Sequence, residues 1–422
     1  MKRLKLLKFV SILVFILILF SPLESSVRGD YALQIVRELS DKKYAGREAG
    51  TLDNLRAIYF LKDDLRNIGL NKFIYQRFPV DVFVLKDTPE FILKEGNNKL
   101  KSYMYGKDFR DKFSGSWEKE GYIKKEGERL KDSFLLIDGD LSKNFIYAKM
   151  WGAEGVIMKV PKNGAEMILQ KSVIPYKVSI PTIYISSDTY TDIASYMDKF
   201  KNLRAYYRIE YDKNSSYAKN LIFLIPSKSK EKETLVVSAH VDHLGKDIDG
   251  YFPGANDNAS GVGVLIEIAK EIWERGNNYP FNILFLITNG EEKGLLGAEF
   301  FVGSPVVPIE DIFLNINIDC VGRGEKLFVS YNTYAEDMIK NMNIKNVSFV
   351  KDVFLDDSDQ YAFHLKEIPT FFMMRANKDY SMPDLHQKTD TWDKIPKENL
   401  SESVQVFFDI LQNVSSFNYV LK

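Results

Sequence analysis

The sequence predicts an α/β protein: a mixed, largely parallel central sheet flanked by helices, interrupted by an inserted β-rich module. Three observations carry that prediction. From Asn220 onwards, apolar runs of strand length alternate with helical patterns, the arrangement of a largely parallel sheet covered on both faces. Between about residues 84 and 211 the texture changes to short β-rich runs broken by charged turns. The 422 residues leave room for two to three domains at roughly 150 residues each.

The chain opens with what reads as an address. Lys2, Arg3, Lys5 and Lys8 form a cationic start, and Phe9 to Phe20 is apolar apart from Ser11. A membrane-spanning helix needs about 20 apolar residues, so this shorter run suits a signal peptide, with processing expected near Ser25 or Ser26. Residues 1–26 are therefore expected to be a signal peptide, or alternatively an uncleaved anchor, the only expected tie to a membrane. The folded part is expected outside the cytoplasm, secreted or held at the cell surface or in the periplasm. Helical spacing follows at Leu33, Ile35, Val36 and Leu39, and again at Ile58, Leu61, Leu65 and Ile68. The glycines of Gly46-Arg47-Glu48-Ala49-Gly50-Thr51 mark a loop between the two helices, and Phe73 to Phe83 is strand-like.

In the middle third, Ser133–Ile137, Gly155–Met158 and Ile180–Ile185 read as strands, and Phe145–Gly152 and Thr189–Met197 as helices. No set of His, Cys and carboxylates gathers there. Strands are expected next at Leu221–Ile225, Leu235–Ala239, Ile283–Thr288, Phe313–Ile318 and Thr370–Met374, with helices at Gly261–Trp273 and Asp359–Leu365. This divides the chain into a catalytic domain, 27–83 with 212–422, and an insert, 84–211.

Composition narrows the chemistry. With 45% hydrophobic and 27% charged residues, wholesale disorder is excluded. Lys and Arg total 57 against 58 Asp and Glu, a balance that argues against a nucleic-acid partner. One cysteine, Cys320, excludes an intrachain disulfide and reads as a buried, inert thiol.

In sheets of this kind, sites form beyond the carboxyl ends of the strands. Leu235–Ala239 is followed by His240-Val241-Asp242-His243, Ile283–Thr288 by Asn289-Gly290-Glu291-Glu292, and Phe313–Ile318 by Asp319. Asp257 lies in the loop leading into the Gly261 helix, and His386 and Asp390 come late in the chain. Imidazole nitrogen and carboxylate oxygen are the ligands zinc takes when no thiolates are offered. Two histidines and three carboxylates are too many for one open tetrahedral site, but suit two ions sharing a bridging carboxylate. Two such ions can polarise a carbonyl and generate hydroxide near neutral pH. A further carboxylate is then needed as proton shuttle. Glu291 and Glu292 can divide the roles of ligand and shuttle, and spacing alone does not say which does what. His243 has two readings, packing beside the site or contact with substrate, whereas His364, on a helical pattern beside Phe363, reads as structural.

These residues bring out a resemblance. The segments Ser238-Ala239-His240-Val241-Asp242-His243, Gly254-Ala255-Asn256-Asp257-Asn258-Ala259-Ser260-Gly261, Glu291-Glu292-Lys293-Gly294-Leu295-Leu296-Gly297-Ala298 and Asn317-Ile318-Asp319 are similar to the motif series of the two-zinc exopeptidases of the aminopeptidase Y and bacterial leucyl aminopeptidase type. Ser358-Asp359-Gln360-Tyr361-Ala362-Phe363, Ile368-Pro369 and His386 with Asp390-Thr391 continue it. The middle third, at Ala153-Glu154-Gly155-Val156-Ile157 and Ile180-Pro181-Thr182-Ile183-Tyr184-Ile185-Ser186, resembles the protease-associated domain often inserted in such enzymes. The resemblance implies two zinc ions per chain. One would be held by His240 and Asp319, the other by Glu292 and His386, with Asp257 as bridge and Glu291 as general acid/base. Asp242 would orient His240, and a cis peptide would join Asp257 to Asn258. The implied activity is hydrolysis of N-terminal residues from peptides or proteins. Related members are carboxypeptidases or one-zinc glutaminyl cyclases, and others have lost ligands and serve as binding modules. The sequence departs from the pattern at Leu385, where some members carry a carbonyl-polarising tyrosine, and in lacking the disulfide some have near the substrate pocket.

Overall fold

The computed structural model describes residues 28–111, 115–138, 148–160, 180–229, 232–340, 342 and 344–416. The expected export segment, residues 1–26, and the start of the expected helix at Phe145 lie outside the described residues.

An eight-stranded mixed sheet forms the main body. Its order is Ile74–Leu85, Tyr211–Ile225, Asn282–Thr288, Thr234–His240, Ile312–Ile318, Thr370–Ala376, Lys326–Tyr331, Val347–Lys351. The middle is parallel: Thr234–His240 runs alongside Asn282–Thr288 on one flank and Ile312–Ile318 on the other, and the latter pairs in parallel with Thr370–Ala376. Antiparallel pairs flank this middle on both sides, and the last pair, Lys326–Tyr331 with Val347–Lys351, is again parallel. Every residue of Thr234–His240, Ile312–Ile318 and Thr370–Ala376 is buried, which is why these strands read as continuous rather than alternating apolar runs.

Both faces are covered. Leu235, Val237 and Ala239 point into a core shared with the helices Asp30–Leu39, Gly261–Arg275 and Lys397–Ser416, while Val236 between them packs with Phe301 and Phe363 on the opposite face. Val262, Leu265, Ile266 and Ala269 form the buried stripe of the Gly261 helix. The helix Leu52–Asn67 begins at Thr51, whose hydroxyl accepts the Asn54 N–H at 3.2 Å as an N-cap.

Among the described residues a second sheet, of eight strands, is built between Glu90 and Ile209 and has its own core of Phe91, Phe109, Phe134, Ile157 and Tyr207. The chain leaves and re-enters the main sheet at one rung, Leu85 opposite Tyr211. The strand expected at Ile180–Ile185 begins only at Thr182, because Pro181 lacks the N–H a ladder needs. The strands Lys326–Tyr331 and Val347–Lys351 and the long helix Lys397–Ser416 add to the elements expected from sequence. Among the described residues no helix is long and apolar enough to cross a membrane.

Candidate metal centre

Four connections beyond the carboxyl ends of the parallel strands converge on one buried cluster. His240 is the last residue of its strand, Asp319 follows Ile318, and Glu291 and Glu292 follow the turn at Asn289-Gly290. Asp257 comes from the loop before the Gly261 helix, joined to Asn258 by a cis peptide bond. His386 arrives from the late loop with a left-handed backbone, φ 57°.

Asp257 stands between two groups of ligand atoms. Its Oδ1 lies 3.4 Å from His240 Nε2, which is also 3.3 Å from Asp319 Oδ2. Its Oδ2 lies 3.2 Å from His386 Nε2 and 3.7 Å from His243 Nδ1. Glu292 completes the second group, 3.2 Å from His386 Nε2 through Oε2 and 2.6 Å from His243 Nδ1 through Oε1. His240, Asp257 and Asp319 can hold one ion, their ligand atoms all within 4.8 Å of one another, and His243, Asp257 and Glu292 make a second such trio. Glu291 belongs to neither trio; its Oε2 lies 4.0 Å from His240 Nε2.

The donor set fits two divalent metal ions. His240 Nε2 and Asp319 Oδ1 are buried without a hydrogen-bond partner, an arrangement that costs free energy unless something else satisfies them. The field asks for positive charge as well. Burial works against protonation of His240, yet Asp319 and Glu291 hold its pKa well above the usual imidazole range; Glu292 and Asp257 do the same to half-buried His386. Imidazole nitrogens among carboxylates, with no thiolate, are the donors zinc takes.

Glu291 and Glu292, neighbours in sequence, are driven apart. Burial, and then the charges of Glu292 and Asp359, lift the Glu291 carboxyl well above the usual range despite His240. For Glu292 the burial cost is outweighed by His386 and His243, which hold it well below. Two carboxyls so separated are suited to different tasks, one a proton carrier and one a permanent anion.

The surrounding shell holds this arrangement. Asp242, fully buried, accepts the N–H groups of Glu291 at 3.2 Å and Glu292 at 3.3 Å, and burial lifts its carboxyl to about 6. Its expected contact with His240 is made by a different atom. His240 Nδ1 meets the main-chain carbonyl of Asp242 at 3.2 Å, while the carboxylate stays 3.9 Å away. Sequence could not separate these, because both atoms belong to the same residue. Ser358 donates to Asp319 Oδ2 at 2.8 Å, and Asn258 donates to the Ile318 carbonyl at 2.9 Å. Asp390 accepts the N–H groups of Asn256 at 2.8 Å and Asp257 at 3.1 Å, steadying the shared carboxylate from behind. Gly254 adopts φ 59°, and an added Cβ would collide with the Asp257 carbonyl oxygen and the His243 ring.

His243 is thus placed against Glu292. Asp390 is legible in the sequence only as part of a motif, because its partners are backbone groups that leave no mark there. His364 sits between the rings of Tyr334 and Tyr361 and belongs to neither trio, and Cys320 is buried with its thiol pKa pushed up by burial.

Residues 220–411 match the model of peptidase family M28. Over 311 residues the chain is 26% identical to aminopeptidase YwaD of Bacillus subtilis, covering 67% of this chain and 62% of that protein. It is 23% identical over 210 residues to a probable leucine aminopeptidase of Trichophyton verrucosum, covering 47% of this chain and 58% of the relative. The chain thus spans less than two thirds of the length of either relative. Among solved structures, a zinc aminopeptidase from Bacillus subtilis superposes with a TM-score of 0.68 at 21% identity, covering 92% of this chain and 95% of that one. A peptidase M28 precursor from Shewanella amazonensis superposes with a TM-score of 0.71 at 18% identity, covering 90% and 92%. At these identities the likeness is one of fold, and it extends across both sheets. The segment that carries the ordered ligand residues, 220–411, is thus the part of the chain that is similar to peptidase family M28.

Proposed function

We propose that this chain is an exported, zinc-dependent aminopeptidase that releases N-terminal residues from peptides or proteins. The observation that carries the reading is the division of labour at the cluster: Asp257 faces both ligand groups while Glu291, largely buried beside them, belongs to neither. The names of the relatives, leucine aminopeptidase and aminopeptidase, point the same way.

His240, Asp257 and Asp319 would hold one zinc, and Asp257, Glu292 and His386 the other, with His243 fixing the free oxygen of Glu292. Bound zinc would supply Lewis-acid polarisation of the scissile carbonyl and a water of lowered pKa. Glu291 takes the proton of the attacking water and passes it to the leaving amine. Its raised pKa suits both halves of that transfer, since a carboxyl of ordinary acidity would release the proton to solvent rather than hold it for the amine. The acidic surroundings favour a substrate's free, cationic N-terminus, which makes the cut exopeptidic. The insert at 84–211 is read as a protease-associated-like domain.

The test pairs metal content with release of amino acid from unblocked and N-acetylated peptides, for wild type and Glu291→Ala. The reading expects two zincs, turnover of free N-termini only, and collapse in the variant with metal retained. Two zincs with turnover indifferent to acetylation would mean a carboxypeptidase or endopeptidase; one zinc with release of ammonia from N-terminal glutamine, a cyclase. No metal and no turnover would mean a binding module.

A further inference from the structure

Among the described residues, a buried charge cluster joins the inserted sheet to the catalytic domain. Arg110, on the insert strand Phe109–Asp111, reaches Asp247 of the main domain with Nη2 2.5 Å from Oδ2 and Nη1 3.4 Å from Oδ1. Both side chains are almost fully buried, 4% and 3% exposed. Lys388 reaches the same Asp247 oxygen at 2.7 Å and also pairs with Asp249. Both cations stand 5.8 Å from the centre of the Phe252 ring, which forms part of the floor beneath them.

Lys388 is two residues beyond His386. The loop that carries them is pinned at three places. Arg323 and Lys394 hold Asp384 at its start, Asp390 grips the backbone of Asn256 and Asp257 at its end, and Lys388 holds its middle. Of these three, the pin at Lys388 leads through Asp247 to the inserted sheet.

We propose that Asp247 is a positioning residue for the second metal ion: Arg110 of the insert fixes Asp247, Asp247 fixes Lys388, and the loop thereby holds His386 facing Glu292 and Asp257. The insert is then part of the metal site's scaffold, and docking of the insert and affinity for the second ion rise and fall together. The inference rests on the reading of His386 as a metal ligand.

Buried ion pairs hold geometry well because removing one member strands the other, and groups that orient a ligand from one layer out typically change metal affinity 10–100-fold when removed. The experiment is a zinc titration against chelators of graded strength on the full chain. It compares wild type, Arg110→Met, Asp247→Asn and Lys388→Met, with thermal unfolding recorded in parallel. Wild type with two zincs validates the underlying reading independently; fewer than two overturns that reading, and this inference with it. Given two, the proposal expects one ion to keep its affinity and the other to be lost at about 10- to 100-fold lower chelator strength in all three variants. Lys388 is 32% exposed, so Lys388→Met remains interpretable if removal of a buried partner prevents folding. Unchanged affinity for both ions in Lys388→Met, with only the melting temperature lowered in the others, would make the cluster structural glue and overturn the proposal.

Discussion

Arg47 donates from Nη2 to the carbonyl oxygen of Gly254 at 2.8 Å, joining the loop between the first two helices to the loop that delivers Asp257. The same guanidinium serves the carbonyls of Leu39 at 2.7 Å, Pro253 at 2.6 Å and Val241 at 2.9 Å. It is fully buried; burial lowers its pKa to about 10, against the pull of Asp390 and Asp257, so it stays charged at neutral pH.

A lysine has three donors and no planar fork, so Arg47→Lys leaves at least one of these carbonyls without its partner. The expected loss is about 2–4 kcal/mol, counting one or two buried acceptors stranded at ~1–3 kcal/mol each, with a lowered melting temperature. A variant as stable as wild type would show that water replaces the fork at no cost.

Replacing Glu291 by Gln keeps the shape and removes the proton carrier. Turnover should fall about 100- to 10,000-fold with zinc content unchanged and KM little altered. Loss of a zinc in this variant would reassign Glu291 as a ligand.

Asp242 offers a sharper contrast. Its carboxylate serves the backbone of Glu291 and Glu292, whereas His240 rests on a main-chain carbonyl that survives substitution. Asp242→Ala should therefore weaken the ion on the Glu292 side about 10–100-fold and spare the ion on the His240 side. A loss confined to the His240 ion would show that the carboxylate orients that ring.

The pairing of Arg110 with Asp247 sets a pH dependence. Burial raises the Asp247 carboxyl, but the hydrogen bond and charge of Arg110, followed by those of Lys388, outweigh it and hold the group well below the usual carboxylate range. A depressed folded-state value means that the stabilisation is fully present above the unfolded pKa near 4 and is lost as pH falls through the folded value. The gap in melting temperature between wild type and Asp247→Asn should stay level from about pH 5 to 8 and close only below about 4. A gap that closed between pH 6 and 8 would point to another titrating partner.

The sequence made the ligand-bearing half of the molecule legible for a physical reason. Strands buried on both faces, such as Thr234–His240 and Ile312–Ile318, are unbroken apolar runs, and each ends on a group that has no place in a core unless it binds something. Val347–Lys351 escaped because it is an edge strand with no fully buried residue and so shows no burial pattern. The helix Lys397–Ser416 does carry Leu400, Val404, Phe407 and Leu411 at helical spacing, but no chemistry to draw attention. Contacts such as Arg110 with Asp247 are out of reach of any periodicity, since 137 positions separate the partners.

The rung at Leu85 and Tyr211 has a consequence for synthesis. Among the described residues Ile74–Leu85 is an outermost strand of the main sheet, and the strand it pairs with, Tyr211–Ile225, is translated only after the whole insert has emerged. On the ribosome the first strand therefore waits with its backbone donors and acceptors open, the state in which edges recruit the wrong partners. Closure of the insert on its own core would bring Tyr211 back beside Leu85 and end that wait, which ties the first strand's pairing to the folding of the module.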